Sequence, residues 1–223
     1  MCGRFALHAN PEVVALQFGL QSAPDFKASY NICPGGDILV VTSKGACQHR
    51  WELIPHWAKD PSIGNKLASG FTAARGESIA ERPAFRDAFR RWRCLVPASG
   101  FYEWQSIAGQ KHPWYLRPRD AGLFGLAGIT SLWQGVRSVS LITTAPNSLM
   151  ERIHDRMPVI LRPDDYARWL DPENQDSGAL MSFLRPYPTE RMEGWPVSRR
   201  VNQPENDEPR LLDRVEPRQG NLL

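Results

Sequence analysis

Cysteine stands at position 2, directly after Met1, in the opening run Met1-Cys2-Gly3-Arg4-Phe5. A small second residue is what methionine aminopeptidases accept, so the mature chain is expected to begin at Cys2. It would then carry a free amine and a thiol on adjacent carbons. Their reference pKa values are about 7.7–8.0 and about 8.5, so useful fractions of both are deprotonated near neutral pH. The amine condenses with an aldehyde to a Schiff base, and the thiolate closes on the same carbon to a five-membered thiazolidine. Such chemistry needs proton transfer. Glu103, in Gly100-Phe101-Tyr102-Glu103-Trp104, is a carboxylate among aromatics, where desolvation raises a carboxyl pKa toward neutrality. His154, in Ile153-His154-Asp155-Arg156-Met157-Pro158, is the best of the five histidines for acid–base work. Arg4, Arg75 and Arg156 adjoin these segments and suit phosphate oxygens, and Trp57 suits stacking on an unpaired base.

The elements that must position these residues read as α+β. Asn10-Pro11 marks a helix start and Gly19 its stop, with Val13, Val14, Leu16 and Phe18 between. Tyr30 to Gly35 reads as a turn-rich connector, and Ile38–Val41 with Cys47–Trp51 as a hairpin turning near Lys44-Gly45. Ser78-Ile79-Ala80-Glu81 has capping-box spacing. Phe85, Ala88, Phe89 and Trp92 then fall on one helical face, flanked by Arg82, Arg86, Arg90, Arg91 and Arg93, which read as a solvated surface with a DNA-facing strip as the alternative. Strands are expected over Cys94–Pro97, Gly100–Trp104, His112–Arg117, Leu123–Ile129, Val136–Thr144 and Met157–Leu161. Helices are expected over Pro146–Ile153, Pro163–Leu170 and Ser177–Leu184, and final strands over Trp195–Val197 and Leu211–Val215. No repeat or linker divides the chain. The expectation is one domain over residues 1–223, an antiparallel, barrel-like sheet decorated by short helices.

Composition narrows the setting. The 223 residues suffice for a real core, and 42% apolar with 23% charged is ordinary for a soluble globule. A net charge of +3 permits a nucleic-acid partner without requiring one. Arg outnumbers Lys, alongside eight Trp, five Tyr and nine Phe. Cys2, Cys33, Cys47 and Cys94 lack metal-ligand spacing, so neither a metal nor a cofactor is expected. No secretory leader or membrane-spanning run is read, which points to a reducing cytoplasm.

Together these segments resemble the SRAP family, the abasic-site processing proteins once called SOS-response-associated peptidases. The resemblance runs through Met1-Cys2-Gly3-Arg4-Phe5, Tyr30 to Gly35, Trp51-Glu52-Leu53-Ile54-Pro55-His56-Trp57 and Pro97 to Trp104. It continues through Thr143-Thr144, His154 to Pro158 and Pro196-Val197-Ser198. It implies a β-barrel with a positively charged groove for single-stranded DNA, in which Cys2 caps an abasic-site aldehyde as a thiazolidine crosslink. Glu103 would assist proton transfers, and His154 would promote ring opening and Schiff-base chemistry. Arg4, Arg75 and Arg156 would hold phosphates with Thr143 as a further contact, and Trp57 would block duplex continuation. The family's peptidase activity would be removal of its own Met1. The implied setting is a monomer encoded by a bacterium or phage, nucleoid-associated when bound to DNA.

One departure stands out. The family's Asn-Ala-Arg-x-Glu-Thr appears here as Ala73-Ala74-Arg75-Gly76-Glu77-Ser78, so Ala73 replaces an active-site Asn. Losing such a hydrogen bond removes roughly 10²–10³ in rate, unless Thr72, Ser69 or Asn65 substitutes. Glu52 in place of the usual Gly adds an acidic group beside the groove, and Asn31 is a further polar candidate. Two other readings stay open. One is an N-terminal-nucleophile amidohydrolase, whose Cys2 would attack an amide with its own amine as base. The other is a module that only binds single strands.

Overall fold

The computed structural model describes residues 3–61 and 71–216 of the chain. Cys2, Asn65 and Ser69 lie outside the described residues. The chain opens with β1 (Phe5–Leu7), α1 (Pro11–Phe18), β2 (Ser29–Ile32), β3 (Asp37–Thr42), β4 (Gly45–Trp51) and β5 (Ala73–Arg75). It continues through α2 (Arg86–Arg91), β6 (Arg93–Ala98), β7 (Gly100–Ile107), β8 (Gln110–Pro118), β9 (Phe124–Trp133) and β10 (Val136–Thr144). The remainder is β11 (Met157–Pro158), β12 (Ile160–Leu161), α3 (Tyr166–Leu170), α4 (Ser177–Met181) and β13 (Met192–Pro196). No helix among the described residues is long and apolar enough to cross a membrane.

Five strands close a barrel, because β10-β4-β3-β6-β9 pair in that order and β9 pairs back to β10. Closure leaves no bare edge on the ring. The β4–β10 step is parallel, as is the pairing of β5 on β10, so the sheet is mixed rather than purely antiparallel. A second sheet, β13-β8-β7-β1-β2, carries Glu103 on β7. Trp51 is fully buried between the layers, its indole edge-on to Phe5 at 5.2 Å and its N–H donated to the Thr72 carbonyl at 3.0 Å. Gly100 must stay a glycine. A Cβ there would lie 2.1 Å from Cζ and the hydroxyl of Tyr115, whose ring packs over that backbone.

Helix α1 follows its sequence signals. The Asn10 side chain accepts the Glu12 N–H at 2.9 Å, and Gly19 ends the helix at φ +63°. The β3–β4 hairpin also stands where expected, with Gly45 at φ +109°.

Other segments differ for local reasons. Ser29–Ile32 is a strand rather than a connector, because it pairs with β1. The helix read from the Ser78 spacing begins only at Arg86, since the preceding segment is a 3₁₀ turn followed by hydrogen bonds from Glu81 and Arg82 to the Ser78 carbonyl. Within Pro146–Ile153 only Met150–Arg152 is helical, as a 3₁₀ turn opened by the Asn147 side chain accepting the Met150 N–H. The strand expected over Met157–Leu161 breaks at Val159. There the chain leaves β10, with Val159 N–H on Ile142, and joins β9, with Ala127 N–H on Val159. Around Leu211 a 3₁₀ turn over Pro209–Leu212 and one bridge, Val197 to Arg214, replace the final strand. Arg93 is buried at 4% exposure instead of joining the solvated arginines.

Candidate functional site

Strand β1 runs antiparallel to β7, Phe5 opposite Phe101. The Tyr102 N–H donates to the Arg4 carbonyl at 2.9 Å, so the described N-terminal backbone runs along β7 toward Glu103. Glu103 is 2% exposed, and burial pushes its carboxyl up to about 7, with the nearby Asp155 charge adding to the rise. A carboxyl at that value exchanges protons readily at neutral pH.

Gln105, two residues on and therefore on the same strand face, lines a cleft of about 490 Å³ with Pro146, Arg152, His154 and Asp155. Its amide donates to the Arg152 carbonyl at 2.7 Å, tying β7 to the segment that carries His154. His154 Nδ1 lies 2.9 Å from Asp155 Oδ1 and 3.1 Å from the Arg156 N–H. One nitrogen cannot donate to the first and accept from the second. Burial lowers the His154 pKa, which favours the neutral ring with Nδ1 accepting and the proton on Nε2. The Asp155 side chain is 81% exposed and has water to satisfy it.

Arg156 is held hard. Its Nη1 and Nη2 donate to the two Glu77 carboxylate oxygens at 2.6 and 2.9 Å, and Nη2 also donates to the Thr143 carbonyl at 2.8 Å. The guanidinium in turn holds the Glu77 carboxyl below its ordinary value. At 8% exposure Arg156 braces the turn around His154. Thr143 is fully buried, and its hydroxyl donates to Ala74 at 3.3 Å, so it offers no face to DNA in this conformation.

Arg4 Nη1 donates to Asn31 Oδ1 at 2.8 Å and to the Val201 carbonyl at 2.7 Å, with its guanidinium 5.8 Å above the Trp104 ring. The Asn31 amide donates to the carbonyls of Val201, Gln203 and Asn206. Arg4 and Asn31 therefore clasp the C-terminal segment over β1. Arg75 is exposed at the end of β5, and Trp57 is 48% exposed with its N–H on the Pro83 carbonyl at 3.3 Å. Ala73 is 8% exposed and pairs with Leu141, so it brings no polar group.

The charge of Asp155, next to His154, thus acts on Glu103; Arg75 and Trp57 are exposed; and Arg4, Thr143 and Arg156 are each hydrogen-bonded within the fold. Glu77 and Gln105 escaped the sequence reading. Glu77 had a signal, its place two residues after Arg75 in a motif read only for positions 73 and 75. Among the described residues no cluster of His, Cys, Asp and Glu could hold a metal ion.

The model of the SOS response associated peptidase (SRAP) family matches residues 1–204. The abasic site processing protein YoqW of Bacillus subtilis is 39% identical over 96% of this chain and 99% of its own length. The abasic site processing protein YoaM of the same organism is 40% identical over 96% and 98%. A crystal structure of a protein from Bacteroides thetaiotaomicron superposes with a TM-score of 0.87 at 27% identity, over 96% of this chain and all of that one.

Proposed function

Since this chain belongs to the SOS response associated peptidase family, we propose that it processes abasic sites in DNA by covalent capture on Cys2. The observation that carries the reading is Glu103, a carboxyl buried on β7 and held at about 7. The described N-terminal backbone runs alongside it through the bond from Tyr102 to Arg4. The reading requires the Cys2 amine and sulfur to reach that carboxyl, and the direction of Gly3 and Arg4 supports it.

In the proposed sequence Met1 is first hydrolysed off. The Cys2 amine then adds to the ring-opened aldehyde, a C–N bond forms, and water leaves to give the imine. The thiol adds across C=N, forming the C–S bond while its proton passes to nitrogen. One water is released overall. Glu103 accepts the ammonium proton and returns one to the departing hydroxyl. Neutral His154 exchanges a proton with the sugar hydroxyl during ring opening. Arg75 and Trp57 hold the single strand.

The apolar Ala73 favours a second reading, in which the protein binds single strands and captures them slowly or not at all. Intact mass before and after treatment with an abasic single-stranded oligonucleotide separates the two. Loss of the Met1 mass and a denaturation-resistant adduct, absent in Cys2→Ala, are expected. An equal adduct in Cys2→Ala would overturn the mechanism, and no adduct in wild type would leave the binding module.

A further inference from the structure

Helix α2 ends at Arg91, one residue before Trp92. The backbone of Trp92 leaves helical geometry (φ −128°, ψ 54°), so its ring escapes the buried face formed by Phe85, Ala88 and Phe89. Trp92 is 42% exposed, and His56 packs edge-on against it at 5.9 Å. At the opposite end of α2, Trp57 is 48% exposed and fixed by its bond to Pro83. Trp57 thus meets the chain three residues before a six-residue helix about 9 Å long, and Trp92 follows that helix's last residue. Along and just before it Arg82, Arg86, Arg90 and Arg91 are all exposed, against the acidic Glu81 and Asp87, of which Asp87 lies 3.8 Å from Arg86. Exposed Trp is unusual, and here two such rings bracket an excess of positive charge.

We infer that this face is a stacking platform for single-stranded DNA, with Trp57 and Trp92 against unpaired bases and the α2 arginines on the phosphates between them. The inference rests on the proposed DNA function and extends it away from the Cys2 chemistry. Ring faces stack on bases only where those are unpaired, which selects a single strand over a duplex. An acidic polypeptide would satisfy the arginines but give two separated indoles nothing planar to stack on.

The test uses the full chain with Cys2→Ala, which prevents covalent capture, and labelled abasic-free oligodeoxynucleotides. Lengths of about 6 and about 20 nucleotides bracket the span of one site and of site plus platform. Trp92→Ala should weaken binding of the longer strand about tenfold and of the shorter less than twofold, with Trp92→Phe retaining most of the affinity. The double variant Arg90→Ala/Arg91→Ala should flatten the salt dependence on the longer strand. Equal affinity of Trp92→Ala and wild type for the longer strand would overturn the platform. So would a larger loss on duplex than on single strand, or Trp92-dependent binding of poly-glutamate. Adduct formation by Cys2-containing protein on the shorter abasic strand is measured in parallel. An adduct without length dependence sinks the platform alone, and length dependence without an adduct sinks covalent capture alone.

Discussion

At the scale of a residue, Glu103 decides most. A carboxyl ordinarily near 4.5 is raised to about 7 because β7 buries it. The folded protein holds this proton more tightly than the unfolded chain does. Its stabilising contribution is therefore present below about pH 4.5 and is lost as the pH rises through about 7. Glu103→Gln should remove that pH dependence, so the wild type should lose thermal stability relative to the variant between those two values. The same substitution should slow adduct formation by about 10²–10⁴ and erase an inflection near pH 7 from the rate profile, read by quenched time courses. A retained inflection would assign the titration to another group.

At the scale of an element, the turn after β5 and the turn between β10 and β11 act as one unit. Glu77 grips Arg156, and the Arg156 backbone N–H fixes the acceptor nitrogen of His154. Glu77 is a positioning residue. Glu77→Gln should loosen the brace, hydrate His154 and move its pKa upward toward the ordinary 6.5, reversing the effect of burial. Adduct formation should fall roughly tenfold to a hundredfold, and Glu77→Asp should recover part of it. The His154 ring-proton titration by NMR is the readout. Reduced stability with an unmoved His154 titration would show that the pair only braces the fold.

At the scale of the whole molecule, Arg93 fastens the helices to the barrel. It opens β6, and its guanidinium donates to carbonyls of Phe89 and Arg90 at the end of α2, Trp169 and Asp171 at the end of α3, and Asn174 beyond. Helix ends leave carbonyls without partners, and a planar five-donor cation is suited to collect several. Arg93→Ala strands them in a buried setting and should cost at least about 3 kcal/mol. In a chain of this size that is a fall of roughly 6–12 °C in Tm, measured by calorimetry. Lys, a point charge without the fork, should recover little. A Tm within about 2 °C of wild type would refute the role.

Several local signals were legible where the chain's neighbours in sequence are also its neighbours in space, though the helices read at Ser78 and over Pro146–Ile153 resolved into 3₁₀ turns. The cap at Asn10, the stop at Gly19, the β3–β4 hairpin and the strands from β6 to β10 all depend on contacts within a few residues or on alternation along one strand. The motif order was enough to name the family, and an aromatic setting foretold the raised carboxyl of Glu103. Tertiary structure alone decided what each arginine does. Arg4, Arg75, Arg93 and Arg156 carry the same group. Their partners, at Val201, in solvent, at Trp169 and at Glu77, are set by long-range packing that no short window contains. A barrel-like sheet was expected from the sequence, but the parallel step that closes it was beyond local reading, because the β9–β10 hairpin closes the ring only once β4 has been laid parallel to β10. A side chain's chemistry is written in its residue type, whereas its availability depends on which polar groups the fold leaves for it to satisfy.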